Sequence, residues 1–481
     1  MRFVVLATGF DEALARDGQY DARCATALRM LAATGRKLIL ATARDLRDLL
    51  EVFPPAQLFD YVIAENGGVL YQPALRRSAI LARAPSEVLV QELRRRRVEP
   101  LAVGSSIVTT ARGHERTVRE AVARLGIDCR IVPNGHSLHL LPPAVSKASG
   151  VREALHRLGI SAHNLVAIGA AETDRALFRL AEHAIALRNA RPQVRASADR
   201  ITHAEGFHGF LEIARELADC DLAYARPRRC AALGVLDGGT VLHAAPCGDS
   251  IVVAGPTGDA ARGLCRYLVG QWHDAGYQCC VLATNTDQER YARNVKVVGD
   301  RENAPRLSDA LSALEHAATS VVLDVSALPS QARRSFVDAF LVQLRALQAR
   351  VGRPHAVVVQ DAEGAAALPL SESALYATEM TRVYASDTSE RLPSKLVERA
   401  RMVIGIGGRA SAMFRFDGLG WSRPLILRLP HGLCDRRARV WMRRGRLDPY
   451  ATADDGECGT SLGRERASAA FSLDEASSLS G

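Results

Sequence analysis

Phe3-Val4-Val5-Leu6-Ala7-Thr8-Gly9-Phe10-Asp11-Glu12-Ala13 begins with five apolar residues and turns abruptly polar. A short apolar run with polar or glycine borders is the pattern of a parallel strand buried on both faces. The pattern recurs at Lys37–Ala41, followed by Thr42-Ala43-Arg44, and at Tyr61–Ala64, followed by Glu65-Asn66-Gly67-Gly68. It recurs again at Leu165–Ile168, followed by Gly169-Ala170-Ala171-Glu172-Thr173-Asp174. Amphipathic stretches such as Ala22–Ala33 and Val151–Leu158 lie between these runs. The βαβ rhythm predicts an α/β sheet with helices on both faces over residues 1–222. Residues 82–144 break it with short alternating and helical patterns, the signature of an inserted α+β cap.

Chemistry in such sheets sits at the carboxyl ends of the strands. There this sequence places the hydroxyl of Thr42, the guanidinium of Arg44 and the carboxylate of Asp11. Lys147 opens a helical stretch in Leu141-Pro142-Pro143-Ala144-Val145-Ser146-Lys147. A hydroxyl, a lysine and carboxylates gathered at one sheet edge suit a phosphoryl group.

In order and spacing these segments resemble the haloacid dehalogenase (HAD) phosphatases, in the branch with a late α+β cap, subclass IIB, which includes sugar-phosphate phosphatases. Ala64-Glu65-Asn66-Gly67-Gly68-Val69-Leu70-Tyr71 is similar to a signature of that branch, and Ala186-Leu187-Arg188-Asn189-Ala190 to its last segment. The resemblance implies a Rossmann-like core, Mg²⁺ as cofactor, a phosphorylated small molecule as ligand, and phosphate contacts at Thr42, Arg44, Asn66, Gly67, Lys147 and Asn189. The family's first motif is Asp-x-Asp-x-Thr, a nucleophile followed by a general acid/base. This sequence has Gly9, Asp11 and Ala13 there, so only the acid/base, Asp11, is kept. The fourth motif, Gly-Asp-x-x-Asn-Asp, has become Gly169-Ala170-Ala171-Glu172-Thr173-Asp174. Asp174 and Glu172 are the remaining candidates for a metal. Glycine offers no oxygen nucleophile, and Mg²⁺ needs several oxygen ligands in octahedral array. The expectation is a catalytically impaired pseudophosphatase acting by binding a ligand or an intact paralogue. An active sugar-phosphate phosphatase with a displaced nucleophile stays open as an alternative. Asp11, two residues on from Gly9, lies about 6–7 Å along the strand, which makes a simple exchange awkward.

After a connector at 223–245, residues 246–450 carry a second α/β pattern. Ser250–Ala254 runs into Gly255-Pro256-Thr257-Gly258-Asp259-Ala260-Ala261-Arg262 and a helical stretch, the context of a phosphate-binding loop. With Ala275–Leu282, Ser320–Pro329, Gly352–Val359 and Met402–Gly407, this block resembles HerA/FtsK-like P-loop ATPases, and the order of the modules is that of bidomain proteins joining such a phosphatase to such an ATPase. The resemblance implies ATP as ligand, with a degenerate P-loop at Gly255, Thr257, Gly258 and Arg262 and a degenerate Walker B region at Asp324 and Asp361. Ala261 and Arg262 stand where lysine and serine or threonine belong, which argues against nucleotide turnover. Arginine's longer fork does not replace the lysine.

Of the chain's 62 basic residues only Lys37, Lys147, Lys296 and Lys395 are lysine, so arginine-rich stretches are the norm and each lysine stands out. Eight arginines fall in 423–446, beside Trp421 and Trp441. Given the composition they read first as a solvated face, with a nucleic-acid-associated ATPase relic as the lesser reading. With 48% hydrophobic and 24% charged residues the chain reads as globular. No apolar run approaches the roughly 18–20 residues of a membrane helix. The ten cysteines form no CxxC pair, and the opening residues do not read as a signal peptide, which together point to a cytoplasmic protein. The Ala-, Ser- and Gly-rich tail 451–481 has the composition of disorder.

Overall fold

The computed structural model describes residues 1–16, 18–83, 86–255, 258–284, 295–360, 380–386, 394–407, 421–422, 425–430, 433 and 437–443. Thr257, Asp361, the tail 451–481 and parts of the strip 423–446 lie outside the described residues. The chain divides into two compact units. One comprises Met1–Arg228 with Leu314–Ala318 and Gln343–Arg353, the other the remainder.

The first unit opens with β1 (Val5–Gly9), a small ladder of β2 (Ala15–Arg16) and β3 (Gln19–Tyr20), α1 (Cys24–Ala33), β4 (Lys37–Ala41) and α2 (Leu46–Val52). Then come β5 (Tyr61–Ala64), β6 (Val69–Gln72) and β7 (Arg77–Ile80). The cap holds α3 (Glu87–Arg95), β8 (Leu101–Val103), β9 (Val108–Ala111), α4 (Glu115–Leu125), β10 (Arg130–Asn134) and β11 (Ser137–Leu141). The chain returns through α5 (Lys147–Leu158), β12 (Leu165–Gly169), α6 (Asp174–Leu180), β13 (His183–Ala186), α7 (Pro192–Arg195), β14 (Arg200–Ile201) and α8 (Gly206–Cys220).

The core sheet has the order β14-β13-β12-β1-β4-β5-β6-β7. Strands β14 through β5 pair in parallel, while β6 and β7 are antiparallel. Every residue of β1 is buried, as its unbroken apolar run requires. α5 starts from a capping box in which Ser146 and Ser149 satisfy each other's backbone N–H, fixing the direction in which Lys147 enters the core.

The cap is a second, antiparallel sheet, β10-β11-β9-β8. Leu89 and Leu93 of α3 and Val118 and Ala121 of α4 pack with Val108, Leu138 and Leu140 on one of its faces. Burying side chains the size of Leu138 and Leu140 stabilises by about 1.5–3 kcal/mol each, which suffices to hold so small a layer together. The opposite face carries no helix of the cap.

The second unit has the described strand order β16-β15-β24-β25-β23-β17-β22-β21-β18-β20-β19. In chain order these are β15 (Ala231–Leu236), β16 (Val241–Ala244), β17 (Ser250–Ala254), β18 (Cys279–Ala283), β19 (Val295–Val298), β20 (Ser320–Asp324), β21 (Ala356–Val359), β22 (Thr381–Ser386), β23 (Met402–Ile406), β24 (Leu425–Arg428) and β25 (Arg437–Met442). Its core gathers around Trp272, Tyr277 and the buried faces of β17 and β18. The stretch 223–245 is more than the connector expected. β15 and β16 within it pair antiparallel across Asp237-Gly238-Gly239, and β15 joins β24 in the sheet. The short strands and a turn made by Gly239 at φ +82° are local signals that a reading for linkers passes over. Among the described residues no helix is long and apolar enough to cross a membrane.

Candidate functional site

β1 lies between β12 and β4, with Thr8 opposite Ile168 and Gly9 opposite Ala41, and β4 pairs in turn with β5, Ala41 opposite Ile63. The segments after these four strands therefore stand side by side at the carboxyl edge of the sheet. Gly169 to Asp174, Gly9 to Asp11, Thr42 to Arg44 and Glu65 to Gly67 form one row.

The best-defined contact there is between Lys147 and Asp174. Lys147 Nζ donates to Asp174 Oδ1 at 2.6 Å, with the side chains 4% and 0% exposed. Asp174 Oδ2 accepts the N–H groups of Ala170 (3.0 Å) and Ala171 (2.9 Å). Both carboxylate oxygens are thus engaged, and a buried charge so paired and hydrogen-bonded avoids most of its desolvation cost. The same carboxylate crowds the strand ends. A Cβ on Gly9 would stand 3.1 Å from Asp174 Oδ2, and one on Gly169 only 2.4 Å from it.

Further along the row, Arg44 Nε donates to Asp11 Oδ1 at 2.9 Å and its Nη1 to Asp48 Oδ2 at 3.0 Å. The guanidinium also lies 5.4 Å from the centre of the Phe10 ring. Partial burial lowers the guanidinium's pKa, but Asp11 and Asp48 outweigh it and hold the group above its ordinary value. Thr42 is buried, and its hydroxyl accepts the N–H of Arg44 at 3.1 Å. The acid/base candidate Asp11 is therefore committed to an ion pair.

Beyond β5 the chain takes three left-handed residues in succession, Glu65 (φ 49°), Asn66 (φ 57°) and Gly67 (φ 113°). Gly67 is required there, since a Cβ would fall 1.9 Å from Ser146 O. That contact sets Asn66 against the start of α5. Glu65 is held by the cap, where Ser105 N and Ser106 N donate to its carboxylate at 3.1 and 2.6 Å. Charge-assisted bonds of this kind are worth about 1.5–3 kcal/mol each and offset the cost of a glutamate at positive φ.

Two expected contacts are spent elsewhere. The Asn189 amide donates to Glu12 O at 3.0 Å, and its Oδ1 accepts the N–H of Gly206 at 3.0 Å, so it clips two backbone segments together. Glu172 Oε1 lies 2.7 Å from Arg191 Nη1. In the second unit β17 leads through Gly255, whose N–H donates to Ser386 O, into a helix that begins at Gly258. Ala261 is buried, Arg262 is half-buried, and Asp324 is buried at the end of β20 with Oδ1 accepting Ser326 N at 2.8 Å.

The donor set of the first unit does not fit Mg²⁺. Gly9 and Ala170 bring no side-chain oxygen ligand, both oxygens of Asp174 are engaged, and Glu172 faces Arg191. Among the described residues no three His, Cys, Asp or Glu side chains converge to hold a metal ion.

Three groups escaped the reading of the sequence. Asp48 is one turn along from Arg44, a spacing that could have suggested the pair. His139 sits in β11 of the cap, 5% exposed, with Nδ1 3.0 Å from Thr109 Oγ1. Burial, aided by the nearby Lys147 ammonium, lowers its pKa to about 4, so the imidazole is neutral. Thr173, 5% exposed, precedes Asp174.

A family model described as haloacid dehalogenase-like hydrolase matches residues 7–93 and 107–213. A phosphoglycolate phosphatase of Methanothermobacter thermautotrophicus is 31% identical over 159 residues, covering 32% of this chain and 71% of the relative. One of Halorubrum lacusprofundi is 33% identical over 164 residues, 31% of this chain and 71% of the relative. A haloacid dehalogenase-like hydrolase structure from Bacteroides thetaiotaomicron aligns with 45% of this chain and 99% of its own, at 18% identity and a TM-score of 0.40.

Proposed function

This chain belongs to the haloacid dehalogenase-like hydrolases, and from that membership we propose that its first unit binds a phosphorylated small molecule without hydrolysing it. The end of β1 carries this reading. Gly9 has no oxygen to attack phosphorus, and the space beside it is taken by the Asp174 carboxylate, 3.1 Å from where a Cβ would stand. Covalent phosphoryl transfer needs a positioned oxygen nucleophile. Asp11, the nearest alternative in the chain, is bound to Arg44.

Binding has better support. An ammonium has three donors, and Lys147 gives one to Asp174 Oδ1, leaving capacity for a ligand oxygen. Thr42 and the backbone N–H groups after β1 stand at the same edge. The relatives' name, phosphoglycolate phosphatase, makes a phosphate monoester the ligand class to try first.

The test is Mg²⁺-dependent phosphate release from a panel of phosphate monoesters by the full chain, beside a Gly9→Asp/Ala170→Asp variant. The expected result is an inert parent and a variant that turns over. Metal-dependent release by the parent, abolished in Asp11→Ala, would overturn the proposal and establish an active phosphatase with an unusual nucleophile. For the second unit we infer a P-loop-like scaffold without nucleotide turnover. The passage from β17 through Gly255 into a helix, with Ala261 at the lysine position, supports it.

A further inference from the structure

In the second unit β24 and β25 pair antiparallel, with Leu425 opposite Val440, Ile426 opposite Arg439, Leu427 opposite Ala438 and Arg428 opposite Arg437. The pleat sends alternate residues to opposite faces. Leu427, Ala438 and Val440 turn inward and join Leu264 and Leu268 of α9 (Gly258–Asp274) in the core. Ile426, Arg428, Arg437 and Arg439 share the other face and are all exposed, Ile426 by 45%. Three arginines therefore stand around one aliphatic residue on a bare stretch of sheet.

Like charges directly opposite each other on an antiparallel pair are destabilising, and Arg428 facing Arg437 is such a pair. The fold does little to balance it. Arg428 Nε lies 3.9 Å from Asp237 Oδ1, with side chains 71% and 53% exposed, and a pair so exposed is weak. Arg437 and Arg439 have no carboxylate within ion-pair reach among the described residues. On the cap helix α4 the chain solvates arginine differently, setting Arg116 against Glu120 and Arg119 against Glu115. The bare face of β24 and β25 thus carries positive charge that an outside anion would neutralise.

Spacing and chemistry narrow the kind of anion. Opposite residues in the pair are about 5 Å apart and alternate residues about 7 Å. An extended peptide presents alternate side chains at that same longer spacing, and guanidinium forks take carboxylates in bidentate pairs. Ile426, between the arginines, offers an apolar contact that such a peptide can use and a phosphate backbone cannot. Single-stranded nucleic acid binds by stacking on open aromatic rings. Here Trp441 is 3% exposed, and Trp421 is 4% exposed with the Arg443 guanidinium 5.4 Å from its ring centre. Duplex binding draws on phosphate contacts spread along the helix, which three arginines around an isoleucine do not match.

We propose that this face of β24 and β25 docks an extended acidic segment of a partner protein, with carboxylates on Arg428, Arg437 and Arg439 and an apolar side chain on Ile426.

Fluorescence anisotropy of a labelled Glu-Glu-Leu-Glu-Glu-Leu-Glu peptide, titrated with the full chain at low salt, tests this. Saturable binding is expected, weakening about tenfold or more when the salt is raised to about 0.5 M. A Gln-Gln-Leu-Gln-Gln-Leu-Gln peptide should not bind; these two comparisons need no variant. Arg437→Gln/Arg439→Gln should weaken binding of the acidic peptide about tenfold or more, and Arg437→Lys/Arg439→Lys, which keeps the charge without the fork, should recover part of it. Ile426→Ser should weaken binding about threefold and leave its salt dependence unchanged. Absence of binding by the acidic peptide, equal binding by the glutamine peptide, or undiminished binding in Arg437→Gln/Arg439→Gln would overturn the proposal. So would tighter binding of a short DNA duplex that is lost in the same variant, which would assign the face to nucleic acid. Binding that emerges only in Asp454→Asn/Asp455→Asn/Glu457→Gln would overturn it as well, by assigning the face to that acidic stretch of the chain itself.

Discussion

His139 ties the cap's chemistry to solution pH. Its folded pKa of about 4 lies below the ordinary 6.5, because burial and the Lys147 ammonium both oppose a proton. Below pH 6.5 the unfolded chain takes up a proton that the folded chain refuses. Stability from this residue is therefore complete above pH 6.5 and is lost as pH falls toward 4, by on the order of 3 kcal/mol. Urea midpoints between pH 7 and pH 4 should fall for the parent, and fall less steeply for His139→Leu. An unchanged slope in the variant would remove His139 as the source. Little of this is visible in the sequence, because a histidine alternating with leucines is an ordinary strand residue until its covering surface is known. Lys147, Asp174 and Thr42 were legible because they sit at fixed offsets from strand ends. Their pairing was not, since it depends on which oxygens the absent carboxylates of Gly9 and Ala170 leave free.

At the scale of the element, the turn after β5 joins cap to core. Glu65, Asn66 and Gly67 adopt positive φ in succession, and the Glu65 carboxylate receives the N–H groups of Ser105 and Ser106. Glu65→Ala removes two charge-assisted bonds, and about 3–6 kcal/mol of cap anchoring should go with them. Hydrogen exchange should then quicken across the cap, residues 82–144, with little change in β1, β4 or β12. Uniform acceleration across the unit would show instead that Glu65 supports the whole fold. The parallel strands of both units announce themselves through short apolar runs that end in glycine or polar residues. The hairpin of β15 and β16 does not, because its residues alternate weakly and its turn resembles a linker. The α+β character of the insert was readable, whereas its division into a helix-covered face and a face toward Lys147 required the register of β9, β10 and β11.

For the molecule as a whole, the two units have separate hydrophobic cores, one built on β1, β4 and β12 and the other around Trp272 and β17. Denaturation is expected to show two transitions rather than one. Lys147→Met leaves the Asp174 carboxylate buried without its cation, which costs about 3–5 kcal/mol. That substitution should move one transition and leave the other in place. A single transition displaced as a whole would mean that the units unfold as one.

The burial of Lys147 also bears on chemical labelling. In a chain with four lysines, amine-selective reagents meet few targets, and Lys37 and Lys296 have exposed side chains while Lys147 is enclosed and ion-paired. Reductive methylation under native conditions should spare Lys147, and the rate at which it eventually reacts reports how often its surroundings open to solvent. A bound ester would slow that rate, so one mass-spectrometric peptide can screen for ligands with no assay of turnover.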